Sequence, residues 1–126
     1  MNKILLGTCV FLIFSGAVAA AQNSVLGKYS GSFVKPTNHG DADEGLTLEI
    51  SSVKGNAVEA RAERFGRGGC VGDYPLAGTV KGDGLALAAT RKGGAAGDCG
   101  MWLKLKVQGD KLVGTMNHKW PVQLAK

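Results

Sequence analysis

Aromatic residues make up only 6% of the 126-residue chain, and histidine occurs twice. Both scarcities limit what the protein can do. Nucleic-acid binding calls for basic residues gathered on one stripe and interleaved with stacking aromatics. Here the cationic excess is mild, a formal net charge of +5, and the basic residues are scattered, so nucleic acid is not an expected partner. Nucleophilic catalysis needs a serine or cysteine, a histidine base and an orienting acid. With only His39 and His118 as bases and no Gly-x-Ser-x-Gly elbow, the chain is not expected to be an enzyme. No cofactor is expected either. After residue 21 no segment has a helical period, and none is long and apolar enough to span a bilayer, which takes roughly 20 residues.

The first 21 residues read differently. Met1-Asn2-Lys3 supplies a charged start, residues 4–14 are apolar, and Ala17-Val18-Ala19-Ala20-Ala21 gives a small-residue exit. This is the pattern of a secretory signal peptide, removed with Cys9. Cys9 lies inside the apolar run after Thr8, a poor context for lipid attachment. Residues 22–126 then form a single domain by size, exported to the periplasm or beyond and not embedded in the membrane. Two cysteines remain, Cys70 and Cys99. An even count in an exported chain points to a disulfide. Their separation, without C-x-x-C spacing, disfavours a metal or redox pair.

One phrase occurs three times. Val53-Lys54-Gly55-Asn56, Val80-Lys81-Gly82-Asp83 and Val107-Gln108-Gly109-Asp110 follow one another at a fixed interval. Glycine followed by Asn or Asp between alternating apolar runs is a two-residue type II′ hairpin turn, and such a turn fixes register. It sets Val107 opposite Leu112, Leu105 opposite Gly114 and Leu103 opposite Met116. It likewise sets Val80 opposite Leu85, Gly78 opposite Leu87 and Leu76 opposite Ala89. Around Gly55-Asn56, Leu46, Leu48 and Ile50 fall out of phase with Val53. This predicts a β-bulge at Ser51-Ser52 that returns Ile50 to the inner face opposite Ala60.

Strands are expected over about 26–34, 45–53, 57–65, 74–81, 84–91, 101–108, 111–117 and 120–125. The fold class is therefore all-β: one eight-stranded antiparallel up-and-down meander, curled into a small barrel with one disulfide. Tight turns occupy one end. Long loops at about 35–44, 66–73 and 92–100 occupy the other, and both Cys70 and Cys99 fall in them. Gly78 and Gly114 mark bends, and Ala60, Ala62 and Ala89 face inward. With so few aromatics the expected interior is mostly filled by its own small side chains, with Trp120, Val122 and Leu124 closing one end.

The first expected strand reads Val25-Leu26-Gly27-Lys28-Tyr29-Ser30-Gly31. A Gly-x-aromatic opening ahead of a meander barrel resembles the calycin group, which includes lipocalins and avidin-like proteins. Tyr29 stands where those families usually carry Trp. Their ligand-contact residues have no matching set here, and the chain is similar more broadly to small exported bacterial β-barrels of unassigned function. The resemblance implies binding of a small apolar ligand or inhibition of an enzyme.

Candidate functional residues gather in the expected long-loop rim, because loops on a rigid scaffold commonly carry binding. The cluster His39, Asp41, Asp43 and Glu44 reads first as a solvated loop, and as a secondary candidate for Ca²⁺ or Zn²⁺. Arg64, Arg67, Asp73, Arg91, Lys92 and Asp98 give the other loops mixed charge. Phe65-Gly66-Arg67-Gly68-Gly69 is the most protrusive stretch. Trp102 is out of phase with Leu103 and Leu105 and should face outward beside Lys104 and Lys106, where it can anchor a partner or a sugar.

The expected function is that of a non-enzymatic binding or inhibitory module, monomeric, using the rim His39, Asp41, Asp43, Glu44, Phe65, Arg67, Arg91 and Trp102 toward a protein, glycan or small ligand. The alternatives are an envelope-associated structural protein and a carrier holding an apolar ligand inside the barrel.

Overall fold

A computed structural model describes residues 25–95 and 97–126. The expected export signal over residues 1–21, with Cys9, lies outside the described residues. Eight strands follow in chain order: β1 (Gly27–Thr37), β2 (Gly40–Lys54), β3 (Ala57–Arg64), β4 (Gly72–Lys81), β5 (Gly84–Ala89), β6 (Trp102–Gln108), β7 (Lys111–Met116) and β8 (Trp120–Ala125). Each pairs antiparallel with the next, and β1 pairs with β8, so the meander closes into a barrel. No described helix is long and apolar enough to cross a membrane.

The three repeated phrases are the three tight turns. Gly55, Gly82 and Gly109 have φ of 61°, 59° and 64°, while the Asn or Asp after each keeps a negative φ, which is the type II′ signature. Only glycine adopts the first position without a Cβ clash. The register follows residue by residue: Val107 faces Leu112, Leu105 faces Gly114, Val80 faces Leu85 and Leu76 faces Ala89. The bulge falls at Ser51. Ile50 pairs with Ala60, the next pair is Ser52 with Glu59, and the extra residue lets both Ile50 and Val53 serve the inner side.

Alternation then fills the barrel. Tyr29, Phe33, Leu46, Leu48, Ile50, Val58, Tyr74, Leu76, Leu87, Leu103, Leu112, Met116, Val122 and Leu124 belong to one buried cluster. Burying a side chain of this size contributes about 1.5–3 kcal/mol. The curvature comes from glycines. A Cβ added at Gly31, Gly78 or Gly114 would stand 1.9, 1.8 and 1.9 Å from the carbonyl oxygens of Gln123, Ala86 and Lys104. At these three points one strand presses against the backbone of its neighbour, which bends the sheet.

Gly27-Lys28-Tyr29 has a second copy in Gly72-Asp73-Tyr74. The two glycines have φ of 136° and 143°. The Tyr29 hydroxyl donates to the Val25 carbonyl and the Tyr74 hydroxyl to the Cys70 carbonyl, in each case four residues back. β1 starts at the tight-turn end and β4 at the loop end, so one device ties down each end. Burial pushes both phenols above the ordinary tyrosine range. The Asp110 carboxylate adds to the shift of Tyr29, and the Arg64 guanidinium opposes that of Tyr74. Lys126 places its ammonium 5.5 Å from the Tyr29 ring centroid.

The first long loop does not exist. β1 and β2 continue their ladder to Thr37 and Gly40, leaving only Asn38-His39 as the turn. Thr37 Oγ1 donates to the Gly40 carbonyl at 2.5 Å and accepts from the His39 amide at 3.2 Å. The apolar alternation was lost there because this hairpin tip is exposed on both faces, so no burial distinguishes them. Pro36 is tolerated because β8 flanks β1 only over Ser30–Phe33; at Pro36 that side of the strand is a free edge and needs no amide donor.

The two remaining loops are joined by the Cys70–Cys99 disulfide, 29 residues apart in sequence. Closing a loop of this length contributes about 3–4 kcal/mol in the chain-entropy model. The loops also bond through their backbones: the Ala95 amide donates to Gly69, and Gly93 exchanges two hydrogen bonds with Cys99.

Candidate binding surface at the loop rim

Seven of the eight expected rim residues are exposed, and Glu44 turns inward. His39 sits exposed at the tip of the β1–β2 turn. Asp41 and Asp43 follow on β2 and are exposed, while Glu44 belongs to the opposite, inward face with Leu46 and Leu48. The pleat thus splits the acidic cluster, and among the described residues no group of three or more His, Cys, Asp or Glu is arranged to hold a metal ion. Phe65 extends β3 by donating its amide to Gly45, and its ring covers that glycine while remaining 42% exposed. Arg67 and Arg91 are exposed on the two stapled loops.

Arg64 corrects the expectation most sharply. It is not a rim charge: it ends β3 on the inward face and is only 4% exposed. Its Nη2 donates to Glu44 Oε2 at 3.4 Å. Its guanidinium carbon lies 4.9 Å from the Phe33 ring centroid and 5.5 Å from that of Trp120, rings that are themselves stacked 5.9 Å apart. Its Nε has no hydrogen-bond partner among the described residues. A planar, weakly hydrated guanidinium is the cation best suited to such a sandwich. The loop-end mouth of the barrel is therefore plugged by an Arg64–Glu44–Phe33–Trp120 cluster. Counting by twos from Val58 through Ala60 and Ala62 reaches Arg64, so the sequence carried this signal.

Trp102 behaves as expected. It lies on the outer face at the start of β6, 51% exposed. Its setting was not anticipated. The β7–β8 turn, Asn117-His118-Lys119, has two successive non-glycine residues with positive φ, 55° at Asn117 and 66° at His118. Such conformations cost of order 1–3 kcal/mol each and persist where the surroundings impose them. Here the surroundings are Trp102. The Asn117 amide donates to the Trp102 carbonyl at 2.8 Å, the Trp102 amide donates to Asn117 Oδ1 at 2.9 Å, and the His118 ring stacks on the indole at 6.3 Å between centroids. The other histidine, at the β1–β2 tip, has no part in this arrangement.

Beside the two rings runs a groove of about 230 Å³ on the outer wall, floored by Ala77, Ala86 and Ala88 and edged by Lys104. A second outer-wall concavity, about 380 Å³, is lined by charged residues of β1 to β4, among them Lys28, Glu49, Arg61, Glu63 and Asp73. Both open outward and neither occupies the packed interior. The sequence signal for the first groove is Gly84-Leu85-Ala86-Leu87-Ala88-Ala89, which is apolar on both faces where a half-exposed strand should alternate.

No protein-family model, curated protein or solved structure matches the chain.

Proposed function

We propose that the protein is an exported, non-enzymatic binding module whose partner docks on the outer wall at the loop end, around Trp102. The observation that carries this reading is the Trp102–His118 pair above an apolar groove. A half-exposed tryptophan held by a strained turn is a costly surface for a chain with no use for it. The buried apolar side chains on the barrel's inner face favour this reading over a carrier holding a ligand inside the barrel, and the meander barrel keeps the likeness to calycin-type binding proteins as part of the proposal. The test is capture from the native envelope and surrounding medium with the immobilised protein. The wild type is expected to retain a partner, and Trp102→Ala to lose at least about tenfold of it, as an interface anchor does. Because the Trp102 side chain lies outside the core, the variant's melting temperature should stay near that of the wild type. Equal capture by wild type and variant would exclude the Trp102 wall. Loss of capture only on shortening residues 66–69 would move the contact to the stapled loops.

A further inference from the structure

The outward lysines of this barrel are not all in the same state. Lys28 pairs with Glu49 at 3.3 Å and Lys106 with Asp83 at 3.6 Å. Lys104 lies on the same outer face of β6, two residues from Trp102, yet its cross-strand neighbours are Ala86 and Thr115. No carboxylate lies within ion-pair distance of it among the described residues, and none lines the groove that it edges. An apolar slot with an indole wall and an uncompensated ammonium at its rim is complementary to a ring that has an apolar face and carries an anion.

Resting on the reading of the Trp102 wall as a binding surface, we infer that the groove takes an acidic sugar, a pyranose ring bearing a carboxylate. The sugar's C–H face lies on the Trp102 indole. Its carboxylate accepts a charge-assisted hydrogen bond from Lys104 Nζ, and its hydroxyls reach the His118 imidazole. The alanine floor gives the ring room: larger side chains at Ala86 or Ala88 would fill the slot. Gly100 serves the same end from above, since a Cβ there would stand 3.0 Å from the indole ring and displace it.

The probes are a glucuronate-terminated disaccharide and its glucose-terminated counterpart, titrated into the purified protein while the two indole N–H signals are followed by NMR. The Trp102 signal should shift saturably and the Trp120 signal should not. The neutral sugar should bind about tenfold more weakly, the effect of one hydrogen bond to a charged group. Lys104→Gln should reduce the acidic sugar to the affinity of the neutral one, and Trp102→Ala should abolish both. The preference should also shrink at roughly 1 M salt, where the Debye length is about 3 Å. The inference is overturned if neither sugar moves the Trp102 signal, if Lys104→Gln leaves the preference intact, or if anionic phospholipid vesicles move that signal and the sugars do not. If the sugars fail while Trp102-dependent capture from the envelope persists, the ligand class is wrong and the binding wall stands. If capture is also indifferent to Trp102→Ala, both readings fall.

Discussion

Gly78→Ala is expected to unfold this protein at temperatures where the wild type is fully folded, with a loss of about 3–5 kcal/mol, at the upper end of single-substitution effects. The added Cβ would stand 1.8 Å from the Ala86 carbonyl oxygen and 2.8 Å from its carbon. These atoms are backbone in the middle of a ladder. A flexible side chain could swing aside, whereas this contact is relieved only by parting β4 from β5 and giving up their hydrogen bonds. For a domain of about 100 residues the loss lowers the melting temperature by roughly 15–30 °C. Gly69→Ala is the control, because a Cβ there meets nothing within 4 Å and the residue does not have a positive φ. Thermal unfolding followed by circular dichroism compares them. A Gly78→Ala protein that melts with Gly69→Ala would show that the strands do not approach this closely.

Glu44→Ala is expected to cost about 3–5 kcal/mol, because it strands a buried cation without its counter-ion. The Arg64 guanidinium is 4% exposed, and among the described residues its Nε has no hydrogen-bond partner and Glu44 is its only ion-pair partner. The Phe33 and Trp120 faces stay in place but cannot replace a carboxylate. The double variant Glu44→Leu with Arg64→Met should recover most of the loss, since apolar side chains of similar size can substitute for a buried pair without penalty. Urea unfolding of the single and double variants settles the matter. If Glu44→Ala unfolds at the wild-type midpoint, the pair is solvated and the mouth is not plugged.

The parts of this fold that were legible in the sequence are those a tight turn reaches. From each Gly-Asn or Gly-Asp the pairing can be counted outward, and it holds through Leu103 and Met116 on one hairpin and Leu76 and Ala89 on another. The bulge at Ser51 was legible for the same reason, as a phase error between two counted runs. Where no tight turn sets the count, the reading failed or fell silent. The β1–β2 hairpin reads as a loop in the sequence because its tip is wet on both faces. Gly31, which makes the same close approach as Gly78 and Gly114, carries no such signal, because the Gln123 carbonyl it meets lies on β8, a strand that no turn connects to β1. Arg64 is within reach of the count from Gly55-Asn56, but a charge at the end of a strand reads equally as the first residue of a solvated loop, and spacing alone does not separate the two. The Trp102 wall was half legible. The outward indole followed from parity with Leu103, but the backbone grip of Asn117 and the stacking of His118 depend on a three-residue turn folding back onto another strand, which spacing alone does not encode.

The β1–β8 seam has a consequence for how the molecule assembles. Seven of the eight pairings join strands adjacent in the chain, and each can form as soon as its hairpin does. The eighth brings Ser30 to Ala125 and Phe33 to Val122, across nearly the whole described chain, with only four residue pairs. The entropy of closing so long a loop must be offset before that short contact contributes anything. Closure is therefore the late, slow event of folding, and the seam is the first part of the ladder to open in the native state. Amide hydrogen exchange should find Ser30–Phe33 and Val122–Ala125 less protected than the β2–β3 ladder. Equal protection in both would mean that the barrel opens only as a whole.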